Sequence, residues 1–199
     1  MVSEQKQKIN ASCCILAGGK SHRFGSDKVL LEIEGKLVIR EIYERMRSIF
    51  KDVFIVADTI DRFSTDEFKI YTDIYKNKGP LGGIHCALVN SKYEKCFITA
   101  CDLPNINSEI IRILWRNTKK YNAIVPLWNS NTEPLAAFYH KNCIPAIIKN
   151  IDSDQFAVRG IFPLVNTKFV DLTDQFSKNL LVKIFSNINL PGDIEKINI

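Results

Sequence analysis

The stretch Ala11-Ser12-Cys13-Cys14-Ile15-Leu16-Ala17-Gly18-Gly19-Lys20-Ser21-His22-Arg23-Phe24-Gly25-Ser26-Asp27-Lys28 decides how the rest of the chain is read. Ala11 to Leu16 is short, apolar and followed at once by turn residues, so it reads as a buried strand. Gly18 and Gly19 let a ligand come close to the main chain. Lys20, Arg23 and Lys28 then supply cations. A strand that runs out into free N–H groups beside fixed positive charge is a place for a polyphosphate.

Two common phosphate loops do not fit. A Walker loop needs Gly, four residues, then Gly-Lys-Ser; the residue five before Gly19 is Cys14. A dinucleotide fingerprint needs Gly-x-Gly-x-x-Gly, and Gly18, Gly19 and Gly25 are wrongly spaced.

At 199 residues the chain is long enough for a real core. It is read as a flexible tail over 1–10 and a single domain over 11–199. Net charge of +5 suits a small anionic substrate and is too mild and too evenly spread for nucleic acid. No apolar run approaches the roughly 20 residues that span a bilayer, and Met1 to Asn10 lacks the apolar centre of a signal peptide, so a cytoplasmic location is expected. None of the six cysteines forms a C-x-x-C pair, and His22, His85 and His140 show no metal-ligand spacing.

Apolar runs and helical periodicity alternate along the chain. Leu37–Phe50 reads as a helix, Val53–Ala57 and Phe68–Tyr71 as strands, and Pro80–Asn90 as a helix opened by proline. Cys96–Ala100 is a strand and Ser108–Lys120 a helix. Ala123–Leu127 and Pro134–Tyr139 are strands, Asn142–Asn150 is a helix and Gln155–Phe162 is helical. Phe169–Asp171 is a strand and Phe185–Ile188 a short extended piece. Asn129–Thr132 and Asn166–Lys168 read as polar loops. This order predicts an α/β fold, a Rossmann-like three-layer α/β/α arrangement on a mostly parallel sheet. Ligands of such sheets sit beyond the C-terminal strand ends, and the glycine loop, Asp73 and Asp102 all follow predicted strands. An aspartate at a strand end can hold Mg²⁺ against a triphosphate.

Leu16-Ala17-Gly18-Gly19, Arg23-Phe24-Gly25, Asp27-Lys28 and Leu30-Leu31 together resemble the signature loop of nucleotidyltransferases of the pyrophosphorylase type, and among them the molybdenum cofactor guanylyltransferases. Asp73 with Gly79-Pro80-Leu81-Gly82-Gly83, then Asp102-Leu103-Pro104, Glu133-Pro134-Leu135 and Asn187-Ile188-Asn189 extend the resemblance over most of the chain. It implies a nucleotidyltransferase fold and transfer of GMP from GTP to molybdopterin-bound molybdenum, with release of pyrophosphate. Leu16, Ala17, Gly18, Gly19, Lys28, Asp73, Gly82 and Asp102 would bind GTP. Lys28, Arg23 and Asp102 would be catalytic, with Asp102 on Mg²⁺, and Glu133, Asn187 and Asn189 would meet molybdopterin or phosphate. Asp73 would accept the N1–H and amino protons of guanine. The family often carries an asparagine after the second strand to help hold the base; here Asp58 is the nearest polar residue.

The resemblance also implies contact with other cofactor-biosynthesis proteins and molybdoenzyme maturation factors, and neither nucleic acid nor membrane. The other readings are a cytidylyltransferase acting on molybdopterin or another phosphorylated small molecule, and a nucleotide-binding module without catalysis.

Overall fold

A computed structural model describes residues 7–18, 32–33, 36–60, 63 and 67–186. The elements run β1 (Ile9–Leu16), β2 (Glu32–Ile33), β3 (Lys36–Leu37), α1 (Val38–Ile49), β4 (Phe50–Ala57), β5 (Ile70–Thr72), α2 (Gly79–Asn90) and β6 (Lys95–Ala100). They continue with α3 (Ser108–Arg116), β7 (Ala123–Trp128), β8 (Asn131–Thr132), β9 (Ala136–His140), α4 (Ile144–Asp152), β10 (Thr167–Asp171) and α5 (Lys178–Phe185). Short 3₁₀ segments cover Lys141–Cys143 and Val158–Leu164.

The main sheet has the order β10-β7-β9-β6-β1-β4-β5, with β8 paired to β7 off this path. β1 is central, parallel to β4 on one side and β6 on the other. β9 runs antiparallel to both β6 and β7, and β10 is parallel to β7. Apart from β9 and the short β8, the sheet is therefore parallel. β2 and β3 form a separate antiparallel pair.

Side chains of a strand alternate between faces, and both faces of this sheet are covered. Ile9, Ala11, Cys13 and Ile15 of β1 join a core with Ile39, Ile42 and Met46 of α1, Ile110, Ile111 and Leu114 of α3, and Leu181, Ile184 and Phe185 of α5. Cys14 and Leu16 point the other way, into a core with Leu81, Ile84 and Leu88 of α2 and Ile147 and Ile151 of α4. Two-sided burial explains why β1 reads as an unbroken apolar run instead of an alternating one. The cysteines take part as small hydrophobes. None of the six is in a disulfide, and burial pushes the thiols of Cys13, Cys14 and Cys96 up, away from thiolate chemistry.

The end of the sheet away from the glycine loop is pinned by polar groups. The Ser12 hydroxyl donates to Asp52 at 2.6 Å, and Lys69 reaches the same carboxylate at 2.9 Å. Burial of Asp52 works against its charge, yet these two bonds prevail and hold the carboxyl below its usual range.

Several elements differ from the sequence expectation. The first strand starts at Ile9, two residues before Ala11. The helix expected over Ser108–Lys120 stops at Arg116, because Asn117 caps it by donating from its backbone N–H to Leu114 and Trp115. Pro134 and Leu135 lie in a turn, and β9 begins only at Ala136. The polar stretch 129–132 is a tight hairpin: Asn129 and Ser130 take φ of 45° and 63°, the left-handed values such a two-residue turn needs. Likewise Lys168, read as loop, belongs to β10.

The largest departure concerns Phe185–Ile188, expected to be extended. Phe185 is the last residue of α5, and Ile188 lies outside the described residues. Ser177 starts this helix by accepting from the Leu180 N–H, and Leu181, Ile184 and Phe185 face the core at helical spacing.

Candidate functional site

Three main-chain bonds carry the sheet past its strand ends. Ala17 donates to the Val56 carbonyl at 2.8 Å, Asp73 to Ala57 at 3.1 Å, and Cys101 to Leu16 at 3.0 Å. They gather the residues after β1, β4, β5 and β6 on one edge. Gly18 then lies against Asp58 and Asp73: a Cβ there would sit 3.6 Å from the Asp58 nitrogen and 3.8 Å from Asp73 Oδ2. Gly83, in the first turn and a half of α2, closes the other side. Its Cβ would come within 2.9 Å of Leu16 Cδ2 and 3.7 Å of Asp73 Oδ1.

Asp73 thus stands between the end of β1 and the start of α2. Its Oδ1 is inaccessible to water and accepts no hydrogen bond among the described residues. Burial, and secondarily the negative charge of Asp58, raises its carboxyl to about 6. A buried acceptor without a donor is costly in a folded protein, and it points to a ligand that brings donors.

Gly82 packs on the segment that follows Asp73. A Cβ at Gly82 would lie 2.7 Å from the Tyr75 carbonyl oxygen, which is backbone and cannot swing aside. Gly82→Ala is expected to destabilise the protein by roughly 1–3 kcal/mol, as overpacking does, despite alanine's better helix propensity. The check is the urea midpoint; a midpoint equal to or above wild type would show that the contact gives way freely.

Asp102 occupies the turn after β6. It lines a groove of about 460 Å³ together with Pro80 at the start of α2, Glu133 and Leu135 before β9, and Arg159 on the second 3₁₀ segment. Burial raises the Glu133 carboxyl, while the Trp128 Nε1–H donating at 3.3 Å and the charge of Arg159 pull it back. Arg159 is positioned by donating from Nη2 to the Thr132 carbonyl at 3.0 Å. Pro80 belongs to the same helix turn as Gly82 and Gly83, so the groove adjoins the Asp73 cluster.

Of the expected site residues, Leu16, Ala17, Gly18 and Asp73 come together directly, Gly82 supports them through Tyr75, and Asp102 and Glu133 share the groove. Gly19, Arg23, Lys28, Asn187 and Asn189 lie outside the described residues. Sequence reading did not single out Gly83, although it stands in the Gly-Pro-Leu-Gly-Gly segment. Arg159 was also missed; its only signal was a cation inside an otherwise apolar run. Among the described residues no group of three or more His, Cys, Asp or Glu side chains is placed to hold a metal. A Mg²⁺ ion bound mainly by nucleotide phosphates needs only one or two protein carboxylates, which Asp102 can satisfy. No described helix is long and apolar enough to cross a membrane.

Residues 13–162 match the family profile described as the MobA-like NTP transferase domain. A probable molybdenum cofactor guanylyltransferase of Carboxydothermus hydrogenoformans is 35% identical over 189 residues, 94% of this chain and 95% of the relative. One of the same name from Pelotomaculum thermopropionicum is 31% identical over 191 residues, 96% of this chain and 93% of the relative. In fold, the chain superposes on molybdopterin-guanine dinucleotide biosynthesis protein A from Archaeoglobus fulgidus with a TM-score of 0.79 at 23% identity, covering 93% of this chain and 95% of that one.

Proposed function

Because this chain belongs to the MobA-like NTP transferase family and is a nucleotidyltransferase, we propose that it transfers GMP from GTP to molybdopterin-bound molybdenum cofactor, releasing pyrophosphate. The observation that carries this reading is Asp73 Oδ1, without a partner among the described residues and held between Gly18 and Gly83 on the edge where β1, β4, β5 and β6 end. The names of the full-length relatives support the acceptor.

The reaction needs no general base. A terminal phosphate oxygen of molybdopterin, already anionic, attacks the α-phosphorus of GTP. A P–O bond forms to that oxygen, the α–β P–O bond breaks, and its electrons leave with pyrophosphate. The difficulty is electrostatic, since two polyanions must meet and charge builds on the leaving group. Residues 16–18 hold the nucleotide against the main chain, and Asp73 reads guanine. Lys28 and Arg23 act on the triphosphate and Asn187 and Asn189 on phosphate, assignments that rest on the sequence motif. Asp102 is the residue that would hold Mg²⁺, which supplies Lewis-acid charge stabilisation when bound. Glu133 belongs to the acceptor side.

The test is incubation of the protein with each NTP, Mg²⁺ and molybdopterin carrying molybdenum, followed by identification of the attached nucleotide. GMP attachment with stoichiometric pyrophosphate is expected. CMP attachment would move the protein to the cytidylyltransferases, and no attachment with any NTP would leave a binding module.

A further inference from the structure

We infer that Arg159 binds the anionic end of the acceptor in the groove beside Asp102, a role that rests on the proposed transfer reaction and adds a specificity residue to it. The groove holds about 460 Å³, within the usual range for a small-molecule site. Leu103, Pro134, Leu135 and Val158 give it apolar walls that suit a flat heterocycle. Its charged lining is the difficulty. Asp102 and Glu133 are both acidic, and an acceptor that attacks through a phosphate is an anion. Without a cation this groove would repel the molecule it must hold. Arg159 is the only basic residue among the described residues that line it.

Its placement fits the task. The bond from Nη2 to Thr132 fixes the guanidinium yet uses one N–H of the five it carries. Glu133 lines the same groove, near enough for the Arg159 charge to act on its carboxyl. A guanidinium held this way presents a planar fork that matches phosphate oxygens in two bonds. Because Pro80 lines the groove and Gly83 of the same helix touches the Asp73 cluster, an acceptor on Arg159 approaches GTP from the α2 side.

The experiment compares wild type, Arg159→Ala and Arg159→Lys, full length, with GTP, Mg²⁺ and molybdopterin carrying molybdenum. KM is read for each substrate, and GTP affinity is measured separately by calorimetry without acceptor. Arg159→Ala should raise the acceptor KM by roughly tenfold to a hundredfold, the loss expected for a hydrogen bond to a charged group. GTP affinity should stay within about twofold of wild type, and Arg159→Lys should recover part of the acceptor KM because it restores the charge but not the fork. Added salt should raise the wild-type acceptor KM more steeply than that of Arg159→Ala. An unchanged acceptor KM in Arg159→Ala would overturn the assignment. So would equal losses in acceptor KM and GTP affinity with no rescue by lysine, since that pattern means Arg159 merely props the Thr132 hairpin. A wild type that binds GTP but forms no dinucleotide would instead sink the proposed function, and the role of Arg159 with it.

Discussion

Asp102→Asn is expected to fold as the wild type does and to lose about a hundredfold or more in kcat, the typical cost of removing one electrostatic contact to a transition state. The turn that carries Asp102 is held by its main chain: Cys101 donates to Leu16 at 3.0 Å and Leu103 to Ala100 at 3.2 Å. An amide of the same shape leaves those bonds alone. What it removes is the negative charge that would hold Mg²⁺ beside the triphosphate, and a neutral amide is a poor ligand for a hard cation. The loss should therefore come with a raised Mg²⁺ requirement, read by titrating the metal at saturating GTP. Wild-type turnover with an unshifted Mg²⁺ curve would take Asp102 out of the mechanism.

Asp73→Asn should weaken GTP binding and at the same time stabilise the protein. In the wild type, Asp73 is a half-buried carboxyl near Asp58, with one inaccessible oxygen that accepts no hydrogen bond among the described residues. Guanine presents two adjacent donors, N1–H and the amino group, which a carboxylate can take in two charge-assisted bonds. Asparagine offers one acceptor and an NH₂ that meets those donors head on. GTP affinity should fall by roughly 1.5–3 kcal/mol, and the preference for GTP over ITP, which lacks the amino group, should narrow.

The stability effect has a fixed sign. The carboxyl is raised from an ordinary 3.8 to about 6 in the folded protein, so above pH 6 its ionisation counts against folding, and below pH 4 it does not, because both states are protonated. Asp73→Asn should raise Tm at pH 7.5, and the difference should shrink as the pH is lowered from 6 to 4. GTP binding by the wild type should also weaken as the pH falls through 6. A variant no more stable than wild type at pH 7.5, or an unchanged GTP-to-ITP ratio, would place guanine recognition elsewhere on the edge.

What the sequence could and could not reveal divides along physical lines. β1, β4, β6, α1 and α2 were legible because burial leaves a mark in composition and period. The placement of Asp73 and Asp102 at strand ends was legible because each comes just after a strand-like run. α5 was not, since the apolar run into Phe185 hid the helical spacing of Leu181, Ile184 and Phe185 behind a strand-like appearance. The neighbours of Arg159 give a single faint signal, a cation inside an otherwise apolar run. Its partner Thr132 and its neighbour Glu133 lie more than twenty residues earlier and meet it only through the fold. The pairing of Asp58 with Asp73 likewise exists only in three dimensions, through the registration of β4 on β5.

The central place of β1 has a consequence during synthesis. Of the described elements this strand leaves the ribosome earliest, yet its two neighbours are Phe50–Ala57 and Lys95–Ala100. One side of β1 waits for about forty further residues and the other for more than eighty, on the order of ten seconds at ordinary elongation rates. Through that interval Cys13, Cys14, Ile15 and Leu16, all buried in the finished protein, form a bare and sticky ribbon with an open edge. A nascent chain arrested before Ala100 should therefore be bound by a holdase chaperone at 9–16. Arrest far enough beyond β6 for that strand to clear the ribosome should release it, because β1 then has both neighbours.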